Sequence, residues 1–143
     1  ANLKKEYNEY LLTEHNMKRV IDYIVAPGYI PNSELQYIYN GAYAFLYTSL
    51  RESFGIPLLE SMACGTPVIT SNTSSMPEIA GEDALLINPE DDESISKMML
   101  KIENDESLYN QQREYGLERA KMFSWKKTAE NLLKVYNSVL KQA

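Results

Sequence analysis

Short apolar runs alternate with stretches of helical periodicity along most of the chain. Apolar runs typical of strands occupy residues 20–25, 42–47, 68–71 and 84–87. Helical patterns lie between them, over about 33–41, 55–64 and 75–80. Strands that alternate with helices form right-handed βαβ units on a parallel sheet. The pattern therefore predicts an α/β fold in which about four parallel strands carry helices on both faces.

Capping and breaking residues indicate where these helices begin and end. Ser33 with Gln36 and Ser75 with Glu78 have the spacing of a capping box, which would begin two of the helices. Gly65 follows the helix at 55–64, where a glycine commonly ends a helix. On the first of these helices, the pattern predicts that Leu35 and Ile38 face the core.

The two ends of the chain are predicted to be helical. Leu3, Tyr7, Tyr10 and Leu11 recur at helical spacing in the opening segment. Helices are also predicted over about 91–141, where Ser124 is expected to begin the last one. That helix has an apolar stripe of Trp125, Ala129, Leu132, Leu133, Tyr136 and Leu140. We predict a single domain over residues 1–143 that ends in this helical segment.

The stretch from Glu52 to Glu60 has the strongest chemical signal. Parallel sheets bind ligands at the carboxyl ends of their strands, and this stretch follows the strand at 42–47. Its first half is a loop that enters a helix N-terminus, where unpaired N–H groups and the helix dipole favour an anion. Gly55 would let a ligand approach the backbone closely. A phosphate ester with an attached sugar would fit, because amides can bind the phosphate while the carboxylates bind hydroxyls.

Composition narrows the classes of function. The chain has 143 residues and a net charge of −6, which argues against a nucleic-acid module. A single cysteine (Cys64) excludes an internal disulfide, and a single histidine (His15) leaves few routes to Ser-His-Asp catalysis. No apolar run approaches the roughly 18 residues of a membrane-spanning helix. From the residues alone, a non-catalytic α/β module that binds an anion or a nucleotide remains open.

The stretch ESFGIPLLESMACGTPVITS (residues 52–71) resembles the E-x7-E signature of the retaining glycosyltransferases of family 4, which have the GT-B fold. Other parts of the chain resemble the family in the same order: GYIP at 28–31, AFLYTS at 44–49, MPEIAG at 76–81, LLINP at 85–89 and FSW at 123–125. The resemblance therefore covers nearly the whole chain. It implies a Rossmann-like sheet that forms an incomplete C-terminal half of a GT-B fold.

The resemblance also implies a site for a nucleoside diphosphate sugar. Glu52 is implied as the catalytic residue, next to the donor sugar. The donor is implied to be bound by the backbone amides of Ser53, Phe54, Gly55 and Ile56. Glu60 is implied to accept hydrogen bonds from the ribose hydroxyls, and Tyr29 and Ile30 are implied to lie beside the nucleobase. No metal ion and no cofactor other than the donor are expected.

The implied reaction is the transfer of a hexose to a glycan or a lipid-linked acceptor, in the cytoplasm or at the inner face of the membrane. Residues 70–81 are similar to mannosyltransferases of bacterial polysaccharide biosynthesis, which favours GDP-mannose as the donor. A phosphorylase of the same fold would need a lysine for pyridoxal phosphate, and the late lysines are predicted to lie on exterior helices.

Two parts of the family pattern have no counterpart in the chain. These are the Arg and Lys that clamp the diphosphate, which would precede Ala1, and the N-terminal domain that binds the acceptor. We therefore expect a truncated donor domain that is inactive alone. Its last helix would expose an apolar stripe, through which the fragment could self-associate.

Overall fold

The structure, a computed structural model, describes residues 23–140. The chain divides into two compact units, Ala1–Asn32 and Ser33–Ala143. In the first unit, residues 24–31 form neither helix nor strand. The strand predicted over residues 20–25 is therefore wrong for residues 24 and 25, and Tyr23 has a 3-10 conformation. A strand requires hydrogen bonds to a neighbouring strand, and residues 23–31 make none within the described range. The predicted opening helix and His15 lie outside the described residues.

The second unit is built around a parallel sheet. Its elements are α1 (Asn32–Gly41, whose first residue closes the first unit), β1 (Phe45–Tyr47), α2 (Ile56–Ala63), β2 (Val68–Ser71), α3 (Met76–Ala80), β3 (Leu85–Ile87), α4 (Asp92–Asn104), α5 (Glu106–Lys121) and α6 (Trp125–Leu140). Across residues 23–140 the sheet has three strands in the order β1-β2-β3, and both pairings are parallel. Tyr47 is in register with Thr70, and Ser71 with Ile87. The predicted α/β class and the parallel sheet are confirmed.

The core lies on both faces of the central strand β2, whose four residues are all buried. One cluster contains Leu58, Met62, Val68, Ile79 and Ala80, and the other contains Ile69, Leu85, Ile87 and Ile102. Val68 and Ile69 belong to different clusters because successive side chains of a strand point to opposite faces. Helices α2 and α3 therefore cover one face of the sheet, and α4 covers the other, as the pattern predicted.

Helix α1 differs from its prediction in two details. It begins at Asn32, and the Gln36 side chain donates to the carbonyl of Ser33 at 3.2 Å, so the predicted capping box is wrong. Ile38 is 53% exposed, whereas Tyr39 is buried. The inward face of the helix therefore includes Tyr39, whose ring packs on Phe45, and the prediction for Ile38 is wrong.

The last helix has a confirmed start and an exposed surface. The N–H of Lys127 donates to Ser124 Oγ at 3.1 Å, as the N-cap prediction requires. No residue of α6 is buried, and Trp125 is 80% exposed. Self-association through this stripe stays a prediction. Among residues 23–140, no helix has the length and apolar character needed to cross a membrane.

Candidate functional site

The loop between β1 and α2 contains Glu52 and leads into the helix that contains Glu60. Gly55, the last residue before α2, is buried and has a φ of 101°. This backbone conformation favours glycine, and a Cβ at this position would lie 2.6 Å from Cε of Met76. Pro57 stands in the first turn of α2, where its missing N–H breaks no helical hydrogen bond. The predicted helix over 55–64 is confirmed with Gly55 and Cys64 as its caps.

The backbone amides around this helix start have no partner in the described part of the chain. The N–H groups of residues 53–56 take part in no hydrogen bond formed among residues 23–140. Ser53, Phe54 and Ile56 are exposed at this surface. Unpaired N–H groups at a helix N-terminus, together with the helix dipole, form an anion-binding site. The site is thus able to hold a phosphate through its backbone.

Each of the two glutamates accepts a hydrogen bond from a tyrosine. Tyr47 Oη donates to Glu52 Oε1 at 2.7 Å, and Tyr39 Oη donates to Glu60 Oε2 at 3.3 Å. The bond to Glu52, followed by burial, raises the pKa of Tyr47 to about 12. Burial, followed by the charge of Glu60, raises the pKa of Tyr39 to about 12. Both hydroxyls therefore stay protonated near neutral pH and act as donors.

An aromatic row joins the two tyrosine–glutamate pairs. The rings of Tyr39 and Phe45 meet edge to face, with centroids 5.4 Å apart. The rings of Phe45 and Tyr47 are stacked, with centroids 5.6 Å apart. Phe45 and Tyr47 are two residues apart on β1, so their side chains share one face of the strand. The two glutamates thus lie on one side of β1, linked through three contiguous rings.

Side-chain hydroxyls from residues 70–75, which we call the hydroxyl segment, bind the backbone of the Glu52 loop. Ser71 Oγ donates to the carbonyl of Ser49 at 2.7 Å. Ser74 Oγ donates to the carbonyl of Glu52 at 2.7 Å and accepts from its N–H at 3.2 Å. Ser75 Oγ donates to the carbonyls of Glu52 and Phe54, at 3.0 and 3.3 Å. These bonds fix the backbone on which Glu52 is carried.

The hydroxyl segment corrects one sequence prediction. Ser75 precedes α3, but its side chain makes no cap hydrogen bond, so the predicted capping box with Glu78 is wrong. The hydroxyl binds the Glu52 loop instead. Ser74 has a φ of 57°, the only positive value at a non-glycine residue between 23 and 140. Such strained residues concentrate at functional sites.

Two surface grooves lie away from this loop. One, of about 480 Å³, is lined by Tyr43, Leu46, Ile69, Met99 and Ile102, among others. The other, of about 360 Å³, lies along α4 beside Lys97 and Lys101. Neither is lined by Glu52 or Glu60. Residues 23–140 also contain no group of three or more His, Cys, Asp or Glu side chains arranged to hold a metal ion.

The family model described as "Glycosyl transferases group 1" matches residues 4–119. This match covers most of the chain. The chain belongs to the group 1 glycosyl transferase family. The GT-B fold expected from the sequence is confirmed with it.

Two known glycosyltransferases are similar to the chain over much of its length. It is 39% identical to the O-antigen chain mannosyltransferase B of Escherichia coli over 109 residues, which are 76% of this chain and 29% of that protein. It is 34% identical to the D-inositol 3-phosphate glycosyltransferase of Corynebacterium jeikeium over 111 residues, 76% of this chain and 26% of that protein. The chain thus spans less than a third of either relative.

A solved structure also matches the chain, over nearly its whole length. The sucrose-phosphate synthase of Thermosynechococcus elongatus superposes with a TM-score of 0.79 and 26% identity. The match covers 99% of this chain and 34% of that one. The fold of this chain therefore matches about one third of that longer structure.

Of the predicted site residues, the structure places six on one continuous segment and two elsewhere in the chain. Glu52, Ser53, Phe54 and Gly55 form the loop, and Ile56 and Glu60 follow on α2. Tyr29 and Ile30 belong to the first unit, in the stretch without regular structure. Their role beside a nucleobase stays a prediction, as does the role of each residue in donor binding.

Sequence reasoning missed the two tyrosine hydroxyls and the hydroxyl segment. Neither Tyr39 nor Tyr47 is among the site residues predicted from the sequence, yet both hydroxyls bind glutamates. The only available signal was the place of Tyr47, at the end of a predicted strand and directly before the loop. Serine or threonine occupies five of the six positions 70–75, at the end of a predicted strand and directly after it, and this gave a similar hint.

Proposed function

We propose that this chain is the donor-binding part of a retaining glycosyltransferase. The reaction transfers a hexose from a nucleoside diphosphate sugar to a glycan or a lipid-linked acceptor. One observation carries the proposal: two glutamates lie on one side of β1, and the backbone N–H groups of residues 53–56 between them make no hydrogen bond among residues 23–140. This arrangement matches a donor that has hydroxyls at both ends and a diphosphate in the middle.

We propose a role for each of these groups. The amides of residues 53–56 and the N-terminus of α2 bind the diphosphate, whose negative charge increases as the bond to the sugar breaks. Glu52 faces the hexose and stabilises the positive charge that develops at the anomeric carbon. Glu60, further along α2, accepts hydrogen bonds from the ribose hydroxyls. Tyr29 and Ile30 are proposed to lie beside the nucleobase.

GDP-mannose is the donor that we propose. This proposal is supported by the 39% sequence identity to a protein named as a mannosyltransferase. The similarity of residues 70–81 to such enzymes also supports it. We further propose that the whole enzyme works in the cytoplasm, at the inner face of the membrane. There it would take part in the assembly of a polysaccharide.

The proposal is tested by titrating the 143-residue chain with GDP-mannose and UDP-glucose, followed by NMR or calorimetry. We expect GDP-mannose to bind, and we expect Glu60→Gln to lower its affinity by about tenfold. This is the effect of losing one hydrogen bond to a charged acceptor. Glu90→Gln is the matched control, because Glu90 is exposed and its carboxylate takes part in no hydrogen bond or ion pair among the described residues. Binding that is indifferent to both the sugar and Glu60 would favour the non-catalytic anion-binding module.

Binding and transfer are expected to separate in this chain. It covers 29% of the mannosyltransferase that it matches, so we propose that groups beyond it complete the reaction. The chain should therefore bind the donor without transferring mannose to an acceptor. Release of GDP at a measurable rate in the presence of a mannose-terminated glycan would contradict this.

A further inference from the structure

The tyrosine hydroxyls occupy only one oxygen of each site carboxylate. Tyr47 binds Oε1 of Glu52, and Tyr39 binds Oε2 of Glu60. The second oxygen of each glutamate, Oε2 of Glu52 and Oε1 of Glu60, has no hydrogen bond among residues 23–140. Each carboxylate is therefore held at one oxygen and free to accept a ligand hydroxyl at the other.

The tyrosines are themselves fixed by rigid elements of the fold. Tyr47 belongs to β1, is paired with Thr70 of β2, and accepts the Thr70 hydroxyl on its carbonyl at 3.0 Å. Tyr39 is buried on α1, and its carbonyl accepts the hydroxyl of Thr66 at 2.6 Å. Phe45 separates the two rings. The distance between the two hydroxyls is therefore set by the sheet and by ring packing.

Glutamate side chains lack this rigidity. Glu60 is exposed, and an exposed glutamate samples several rotamers whose loss opposes ligand binding. A hydrogen bond from a fixed donor selects one rotamer before the ligand arrives. Such preorganisation raises affinity without any contact between the tyrosine and the ligand.

We propose that Tyr39 and Tyr47 are positioning residues of the donor site, which aim Glu60 at the ribose and Glu52 at the hexose. This inference rests on the proposed function and assigns each tyrosine to one end of the donor. It makes a distinction that a general stabilising role would not. Removal of the Tyr47 hydroxyl weakens the binding only of ligands that have a hexose. Removal of the Tyr39 hydroxyl weakens the binding of every ligand that has the ribose.

The experiment compares GDP-mannose with GDP on the 143-residue chain by NMR titration. Tyr47→Phe should lower the affinity for GDP-mannose by about three- to tenfold, because the hydrogen bond that orients Glu52 is lost. The affinity for GDP should not change. Tyr39→Phe should lower the affinity for both ligands by the same factor. Tyr43→Phe is the matched control, because it removes a tyrosine hydroxyl that donates to the Ile102 carbonyl on the opposite side of the unit.

A double-mutant cycle separates positioning from general stability. Tyr47→Phe combined with Glu52→Gln should bind GDP-mannose no more weakly than Glu52→Gln alone, because the tyrosine acts through that carboxylate. Additive losses would overturn the inference. A thermal melt of each variant shows that it is folded; if Tyr39→Phe does not fold, the Tyr47 variants decide the matter alone.

The outcomes distinguish the two proposals. If the unaltered chain binds neither nucleotide, the proposed function fails and the inference fails with it. If Glu52→Gln and Glu60→Gln weaken binding but both Tyr→Phe variants bind like the unaltered chain, only the inference is overturned. Equal loss of GDP and GDP-mannose in Tyr47→Phe would also overturn it.

Discussion

Glu52 and Glu60 lie on the same side of β1, but the fold holds them in different ways. Glu60 belongs to α2, so hydrogen bonds within a few residues fix its backbone. Glu52 lies in a loop, and its N–H and carbonyl are bound by Ser74 and Ser75, more than twenty residues further along the chain. The position of Glu60 is thus a local property of the sequence, whereas that of Glu52 depends on tertiary structure.

The difference has a functional consequence. Changes in the hydroxyl segment or at Gly55 should disturb Glu52, at the proposed hexose end of the site, while the helix keeps Glu60 in place. A loop held by side-chain hydroxyls also opens at lower cost than a helix, because few backbone hydrogen bonds have to break. The comparison predicts that the hexose end is the more sensitive of the two.

Gly55→Ala is expected to have the largest effect on this loop. The φ of 101° disfavours any side chain, and the new Cβ would meet Met76 at 2.6 Å. We expect a loss of about 2 kcal/mol in the free energy of unfolding, mainly from the unfavourable backbone conformation. GDP-mannose binding should fall with it, because the amides at the helix start shift. Urea unfolding and NMR titration measure both effects.

Gly41→Ala provides the matched control for that substitution. Gly41 is the last residue of α1, and a Cβ there would have no atom within 4 Å. Its effect on stability should stay within about 0.5 kcal/mol. If both alanine variants lost the same stability, Gly55 would have no special role in shaping the loop.

The double substitution Ser74→Ala and Ser75→Ala is expected to have an effect of similar size. It removes both hydroxyls that bind the Glu52 carbonyl, at a cost of about 1 kcal/mol for each serine. GDP-mannose should bind more weakly, while the binding of GDP, which we propose to rest on Glu60 and the amides, should be affected less.

Ser96→Ala is the control for the loss of a hydroxyl. Ser96 Oγ donates to the Asp92 carbonyl within α4, where the helix already satisfies its own backbone. We expect almost no change in stability or binding. Equal weakening of GDP and GDP-mannose by the two serine substitutions would contradict a separate role for the Glu52 loop.

The same contrast between local and tertiary determinants explains which features the sequence could predict. Helix α2 and its glycine at Gly65 were predictable because apolar spacing, Pro57 and the glycine lie within a dozen residues. The parallel sheet followed from the alternation of strands and helices. Both glutamates were marked by their spacing and by the family resemblance.

Features that depend on distant partners were not predictable. The Ser75–Glu78 spacing predicts a capping box, but the hydroxyl of Ser75 donates to the Glu52 and Phe54 carbonyls instead. The hydrogen bonds of the two tyrosines could not be predicted, because nothing local to Tyr47 or Tyr39 identifies a carboxylate partner. Ile38 and Tyr39 are adjacent and both apolar in part, and only the packing on Phe45 decides which is buried.

The smallest expected effect is a loss of stability at high pH that comes from the two tyrosine–glutamate pairs. The pKa of both tyrosines is raised to about 12, against an ordinary value near 10 in the unfolded chain. Because the protonated hydroxyl is favoured in the folded state, this contribution is complete below pH 10 and is lost as the pH rises towards 12.

The free energy of unfolding, measured in urea from pH 8 to 11, should decline less steeply at the top of this range in Tyr47→Phe. Glu52→Gln should lessen the decline in the same way, because the hydrogen bond to Glu52 is the main cause of the raised pKa of Tyr47. A decline that is unchanged in both variants would show that the Tyr47–Glu52 bond contributes nothing to folding, and Glu52 would then depend on the hydroxyl segment alone.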